Sequence, residues 1–140
     1  VQFPEWKDNL RTIQVTSHFD KLDDLLIPNN GLDLKFNYEG SSQNIGSDIN
    51  YTRMDFSLDY FNTISKSHTL HFHAYYGYGT EELPVYKWHY VSGPNSFVSA
   101  ERDEFAWYRT SIFRADYRKQ INRDLYFSLI YNIAPNYKQN

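Results

Sequence analysis

Two histidines and two aspartates could support metal or acid–base chemistry. His71 and His73 are two positions apart and Asp55 and Asp59 are four apart, so each pair shares one face if its segment is a β-strand. Two imidazoles could hold a metal ion jointly, and two carboxylates could share acid–base work. The sequence assigns no third ligand to the histidines. We therefore predict no metal, cofactor or catalytic residue and interpret all four as polar residues lining an interior.

Charged residues on other segments favour this interpretation. Arg53 shares a face with both aspartates, and a later segment places Arg114, Asp116 and Arg118 on one face. Charges in an interior need partners, so ladders of ion pairs explain these side chains better than catalysis does. The predicted interior set is Arg53, Asp55, Asp59, His71, His73, Arg114, Asp116 and Arg118.

The opposite face of the same segments is apolar. Residues 32–38 alternate apolar and polar at every step, and the pattern recurs in five other segments. Successive side chains on a strand point to opposite faces, so the sequence predicts a sheet with one hydrophobic and one charged side. Such a sheet suits a half-buried soluble domain or an outer-membrane barrel. The predicted strands are residues 10–19, 32–39, 50–62, 69–78, 105–118 and 125–133.

Composition and connection lengths favour the barrel. Aromatic residues make up 19% of the chain against 41% hydrophobic residues in total, and membrane barrels use aromatic rings as girdles at the lipid–water boundary. No run approaches the ~20 apolar residues of a transmembrane helix. Short turns near residues 28–31, 65–68 and 121–124 would lie at one end, with longer connections at 41–48 and 80–104 at the other. Outer-membrane barrels have this asymmetry.

The sequence thus predicts an all-β fold: part of an antiparallel, up-and-down transmembrane β-barrel with about six strands. The interior charged set would face the lumen. The apolar face would contact membrane lipid, so we predict lipid as a partner of the chain. The predicted lipid-facing residues are Phe56, Leu58, Phe72, Phe113 and Phe127.

Charge and chain length set further bounds. The net charge is −3 and there is no basic stripe, so we predict no nucleic-acid partner. The absence of Cys removes disulfides and thiolate metal sites. No signal peptide opens the chain at Val1–Trp6, so either processing removed one or this is a piece of a longer protein. Six strands cannot close a barrel around a polar lumen. We therefore expect residues 1–140 to be a single barrel segment of a longer protein, or one completed by strands from a second copy.

Several short motifs resemble a known family. They are His68–Gly79, Leu83–Tyr86, Ser92–Phe97, Asp103–Phe105 and Arg114–Arg118. Together they resemble the C-terminal bacterial surface-antigen barrel, a superfamily that includes the barrel-assembly insertase and the two-partner secretion transporters. The likeness spans about residues 28–134 and is greatest to the barrel of bacterial patatin-like phospholipases.

That resemblance implies a barrel in the outer membrane of a Gram-negative bacterium that anchors or exports an attached domain. Family barrels commonly carry an Arg-Gly-Tyr-like tip in the long loop, whereas this chain has Phe97–Ala100 there, which argues against insertase or secretion chemistry. No Gly-x-Ser-x-Gly motif occurs, so any lipase domain would lie outside these residues. The alternative is a soluble β-sandwich that binds a ligand such as a glycan, using aromatics around residues 75–90 as a stacking platform.

Overall fold

The chain folds as antiparallel β-structure. In the computed structural model, residues 9–90, 106–123 and 125–134 are described. Among them no helix is long and apolar enough to cross a bilayer. The strands are β1 (Thr12–Asp20), β2 (Gly31–Ser41), β3 (Tyr51–Ser65), β4 (His68–Gly79), β5 (His89–Tyr90), β6 (Ala106–Trp107), β7 (Arg109–Gln120) and β8 (Tyr126–Ile133).

Six of these strands form one sheet in the order β1-β2-β3-β4-β7-β8, and each pairs antiparallel with its neighbours. The short strands β5 and β6 pair with each other inside the long connection between β4 and β7. The predicted all-β antiparallel fold of about six strands is confirmed. The sheet is not closed: within the described part of the chain, β1 and β8 each keep one edge without a partner strand.

Alternation along the strands gives the sheet two unlike faces. The apolar face is the more open one: Phe72 is 45% exposed and Phe113 is 55% exposed, whereas Asp116 on the opposite face is 8% exposed. In the described part of the chain, the buried hydrophobic residues are Tyr51, Leu83 and Ile112 alone. A water-soluble domain buries its apolar residues and exposes its charges. This sheet does the reverse.

The connections at the two ends differ less in length than expected. Residues 66–67 form the tight turn between β3 and β4, and residues 121–125 join β7 to β8. However, ten residues, 21–30, join β1 to β2, against nine between β2 and β3. The expectation of a short first turn was therefore wrong, and the asymmetry rests on the other connections.

Two aspartates organise this first connection. The carboxylate of Asp23 accepts hydrogen bonds from the backbone N–H groups of Asn29 and Asn30, and that of Asp24 accepts from Leu26 and Ile27. These backbone donors, with Asn30 contributing most to Asp23 and Ile27 most to Asp24, hold the pKa of each carboxyl below its ordinary value. The two carboxylates thus accept hydrogen bonds from backbone N–H groups of this ten-residue connection. A two-residue turn would have fewer such groups in need of an acceptor.

Candidate functional site

The polar face carries a cluster centred on Asp59. Its Oδ1 atom lies 2.8 Å from His71 Nε2 and 2.9 Å from His73 Nδ1. The second nitrogen of His71, Nδ1, lies 2.7 Å from Asp116 Oδ2, and Arg114 forms an ion pair with Asp116 at 2.7 Å. Charged groups of β3, β4 and β7 are therefore joined across the sheet.

Strand register creates this cluster. Asp59 lies opposite His73 in the β3–β4 pair, and His71 lies opposite Asp116 in the β4–β7 pair. The ring of Phe61, two residues beyond Asp59, stacks on His71 with centroids 4.1 Å apart and planes 3° from parallel. Both ring nitrogens of His71 face carboxylates while one ring face is covered, so its orientation is fixed.

Sequence reasoning missed Asp59 as the third group beside the two histidines. Their spacing in the sequence pairs Asp59 with Asp55 of its own strand, but the two carboxylates have different partners in the structure. The predicted turn at residues 65–68 could have revealed this contact. A tight turn sets which residues of the two strands lie opposite each other, and here it places Asp59 opposite His73.

Asp55 belongs to a second cluster near the opposite end of the sheet. Its Oδ1 atom accepts a hydrogen bond from the Tyr75 hydroxyl at 2.7 Å and pairs with Arg53 at 3.1 Å. The same atom lies 2.8 Å from Nδ1 of His89, a residue of the long connection that is 1% exposed. The long connection therefore returns to the polar face and inserts a histidine there.

Glycines make room for this return. A Cβ atom on Gly77 would lie 2.5 Å from the His89 ring, and one on Gly79 would lie 2.5 Å from a Leu83 methyl group. Lys87 also pairs with Glu39 of β2 at 2.8 Å. The apolar residues of the long connection, among them Leu83 and Trp88, predict that residues 80–104 fold inward over the lumen. Residues 80–90 return to the polar face, and residues 91–105 lie outside the described part of the chain.

Gly77→Val should release this part of the connection. The valine would displace the His89 ring, and such overpacking costs about 1–3 kcal/mol. Because 1.4 kcal/mol is a factor of ten in an equilibrium, trypsin should cleave after Lys87 about tenfold faster or more. Ala74→Val, on the opposite face of β4, is the matched control and should leave the cleavage rate unchanged. Equal rates in Gly77→Val and the unmodified protein would show that this contact does not hold the connection.

The connection between β1 and β2 covers the other end of the polar face, which the sequence did not predict. Arg118 donates hydrogen bonds to the Pro28 carbonyl and, at 2.9 Å, to Asn29 Oδ1. The Thr63 hydroxyl donates to the Asn29 carbonyl at 2.9 Å. A cavity of about 250 Å³ lies under this connection, lined in part by Leu26, Pro28, Phe61, His71, Asp116 and Arg118.

The structure places the predicted residues in two groups. All eight residues of the interior charged set share the polar face, and each is buried or half-buried. The five predicted lipid-facing residues share the other face, where the four phenylalanines are exposed and Leu58 is half-buried. That the apolar face contacts lipid stays a prediction. That the interior charged set faces a lumen also stays a prediction.

A meander of long antiparallel strands with exposed apolar side chains on one face and ion pairs on the other is consistent with part of a β-barrel wall. Comparison with known protein families matches residues 5–100 to the Omp85 superfamily domain. The chain belongs to the Omp85 superfamily, whose members are outer-membrane proteins of Gram-negative bacteria. A search of curated proteins found no match.

The predicted resemblance to the surface-antigen barrel superfamily is confirmed at this level. The family match supports a general role as an outer-membrane β-barrel or in secretion. It does not extend to the patatin-like phospholipases.

Proposed function

We propose that this chain forms part of the wall of a transmembrane β-barrel in the outer membrane of a Gram-negative bacterium, where it anchors or exports an attached domain. The observation that carries the proposal is the reversed polarity of the sheet. Phenylalanines such as Phe72 and Phe113 are exposed, whereas Asp116 is buried and its partners are half-buried. In a bilayer the first face meets lipid and the second lines a wet interior.

The backbone gives the mechanism of anchoring. Lipid offers no hydrogen-bond partners, so each strand must pair on both sides. The unpaired edges of β1 and β8 therefore require further strands, supplied by the rest of a longer protein or by a second copy of this chain. Membrane lipid and those strands are the partners that the proposal requires.

The attached domain is proposed to be a hydrolase of the patatin-like phospholipase type. The support is the sequence resemblance of segments such as Leu83–Tyr86 and Arg114–Arg118 to the barrels of those enzymes. The barrel segment contributes anchoring and carries no Gly-x-Ser-x-Gly nucleophile of its own. The soluble glycan-binding alternative is disfavoured, because it would hold a broad apolar face in water.

Fluorescence quenching tests the orientation of the sheet. The chain has no Cys, so single cysteines can be introduced at Phe72→Cys on the apolar face and at Ser57→Cys on the polar face, then labelled with a small fluorophore. The intact protein is reconstituted into vesicles that contain lipids brominated on the acyl chain. We expect strong quenching at position 72 and little at position 57. Equal quenching at the two positions, or none at either, would overturn the proposal.

A further inference from the structure

We propose that Asp59, His71 and His73 form a binding site for a divalent metal ion of the zinc class. Zn²⁺ is the ion with which the site can be tested. Each residue offers one ligand atom, and the three atoms lie within 4.8 Å of one another on the polar face of the sheet. A metal ion bound there would link β3 to β4 on the polar face of the sheet. The site is independent of what the barrel anchors or exports.

Two of the three separations between ligand atoms are close to their required values, and the third, between the two imidazole nitrogens, is at most 4.8 Å. Asp59 Oδ1 lies 2.8 Å from His71 Nε2 and 2.9 Å from His73 Nδ1. Tetrahedral zinc with bonds of about 2.0–2.2 Å holds its ligand atoms roughly 3.3 Å apart. Spreading the two contacts by about half an ångström opens this space, and rotation of the Asp59 side chain provides that movement.

The surroundings of His71 are those of a metal-bound histidine. Metal-ligating histidines almost always hydrogen-bond their second nitrogen to a carboxylate, carbonyl or water. His71 directs Nδ1 at Asp116, whose oxygens are held by Arg114. The stacked ring of Phe61 fixes the plane of the imidazole. Nε2 is therefore already aimed at Asp59, and little side-chain freedom remains to be lost on binding.

The donor set selects the class of metal. Two imidazoles and one carboxylate suit Zn²⁺ and its transition-metal neighbours, whereas Mg²⁺ and Ca²⁺ require oxygen ligands. Three protein ligands leave at least one coordination position for water. The Asp59 side chain is 25% exposed, so solvent can reach this position.

A second histidine–aspartate pair on the same face supplies a matched control. His18 Nε2 lies 2.6 Å from Asp33 Oδ1, and the other oxygen of Asp33 pairs with Lys35 at 2.7 Å. Both groups consist of an aspartate that contacts a histidine of a neighbouring strand. The second partner of Asp33 is a lysine, whereas the second partner of Asp59 is a histidine. His18→Gln thus removes an exposed histidine of the polar face without touching the proposed ligands.

The test is a Zn²⁺ titration of the intact protein, purified in detergent without a histidine tag and stripped with a chelator. A competing chromophoric chelator reports the affinity. We expect one equivalent of Zn²⁺ to bind to the unmodified protein and to His18→Gln. His73→Gln and Asp59→Asn should each weaken binding more than about 100-fold, and Asp116→Asn about 10–100-fold.

The unmodified protein alone can overturn the proposal. The proposal is wrong if the unmodified protein fails to bind Zn²⁺, or if X-ray absorption spectra show fewer than two imidazole ligands on the bound metal. Both results hold even if the variants do not fold. Equal loss of Zn²⁺ binding in His18→Gln and His73→Gln would also overturn the proposal. Circular dichroism of each variant verifies that the sheet is intact, so that lost binding reports on the ligands.

Discussion

Leu58→Arg should lower the free energy of unfolding of the membrane-embedded protein by about 2–4 kcal/mol, the cost of a lipid-facing arginine near the bilayer midplane. Leu58 is the middle residue of β3 and lies between Leu34 of β2 and Ala74 of β4. An arginine there would have to reach the interface along the strand or draw water into the bilayer. Denaturant unfolding in lipid vesicles, followed by tryptophan fluorescence, measures the change.

The neighbouring position provides the control. Ser57 faces the polar side, beside a cavity of about 280 Å³ that is also lined by Glu39 and Asp55. Ser57→Arg places the same cation in a polar space where the carboxylates of Glu39 and Asp55 offset the nearby cations Lys35 and Arg53, and we expect a change below about 1 kcal/mol. Equal destabilisation by both arginines, or none by Leu58→Arg, would contradict a lipid-facing outer surface.

The isolated 140-residue chain should not form a folded monomer in water. The edges of β1 and β8 present unpaired N–H and C=O groups, and both faces of β1 are exposed along its whole length. The apolar face adds a patch beyond the few hundred Å² that soluble monomers tolerate. Analytical ultracentrifugation should therefore show aggregates or higher assemblies.

The same chain in a mild detergent is the comparison. Detergent covers the apolar face, so the sheet should give a well-defined strand signal by circular dichroism there. A detergent-free monomer that sediments as one species and melts cooperatively would contradict the expectation. It would favour the soluble ligand-binding alternative.

The strands could be predicted from sequence because alternation is a local property. Residues 53–60 and 69–78 alternate, and these runs form the centres of β3 and β4. The same alternation grouped the residues of the interior charged set, which share one face of the sheet. Nearest-neighbour pairing then followed from the tight turn at residues 66–67, since a meander requires little long-range information.

Contacts between distant parts of the chain could not be predicted. His89 is buried on Gly77, and Arg118 holds Asn29 from 89 positions away. These contacts depend on how two irregular connections bend, which no periodic pattern encodes. Position-specific clues were present in Gly77 and in the Asp-rich start of the first connection, but glycine and aspartate are common in loops for other reasons.

The single long connection sets an order for folding. Each strand from β2 to β4 pairs with the strand before it across two to ten residues, whereas 29 residues, 80–108, separate β4 from β7. Closing a loop three times longer costs about 1 kcal/mol more in chain entropy. We therefore expect two hairpin-built blocks, β1–β4 and β7–β8, to form first, with their joining at β4–β7 as the slow step.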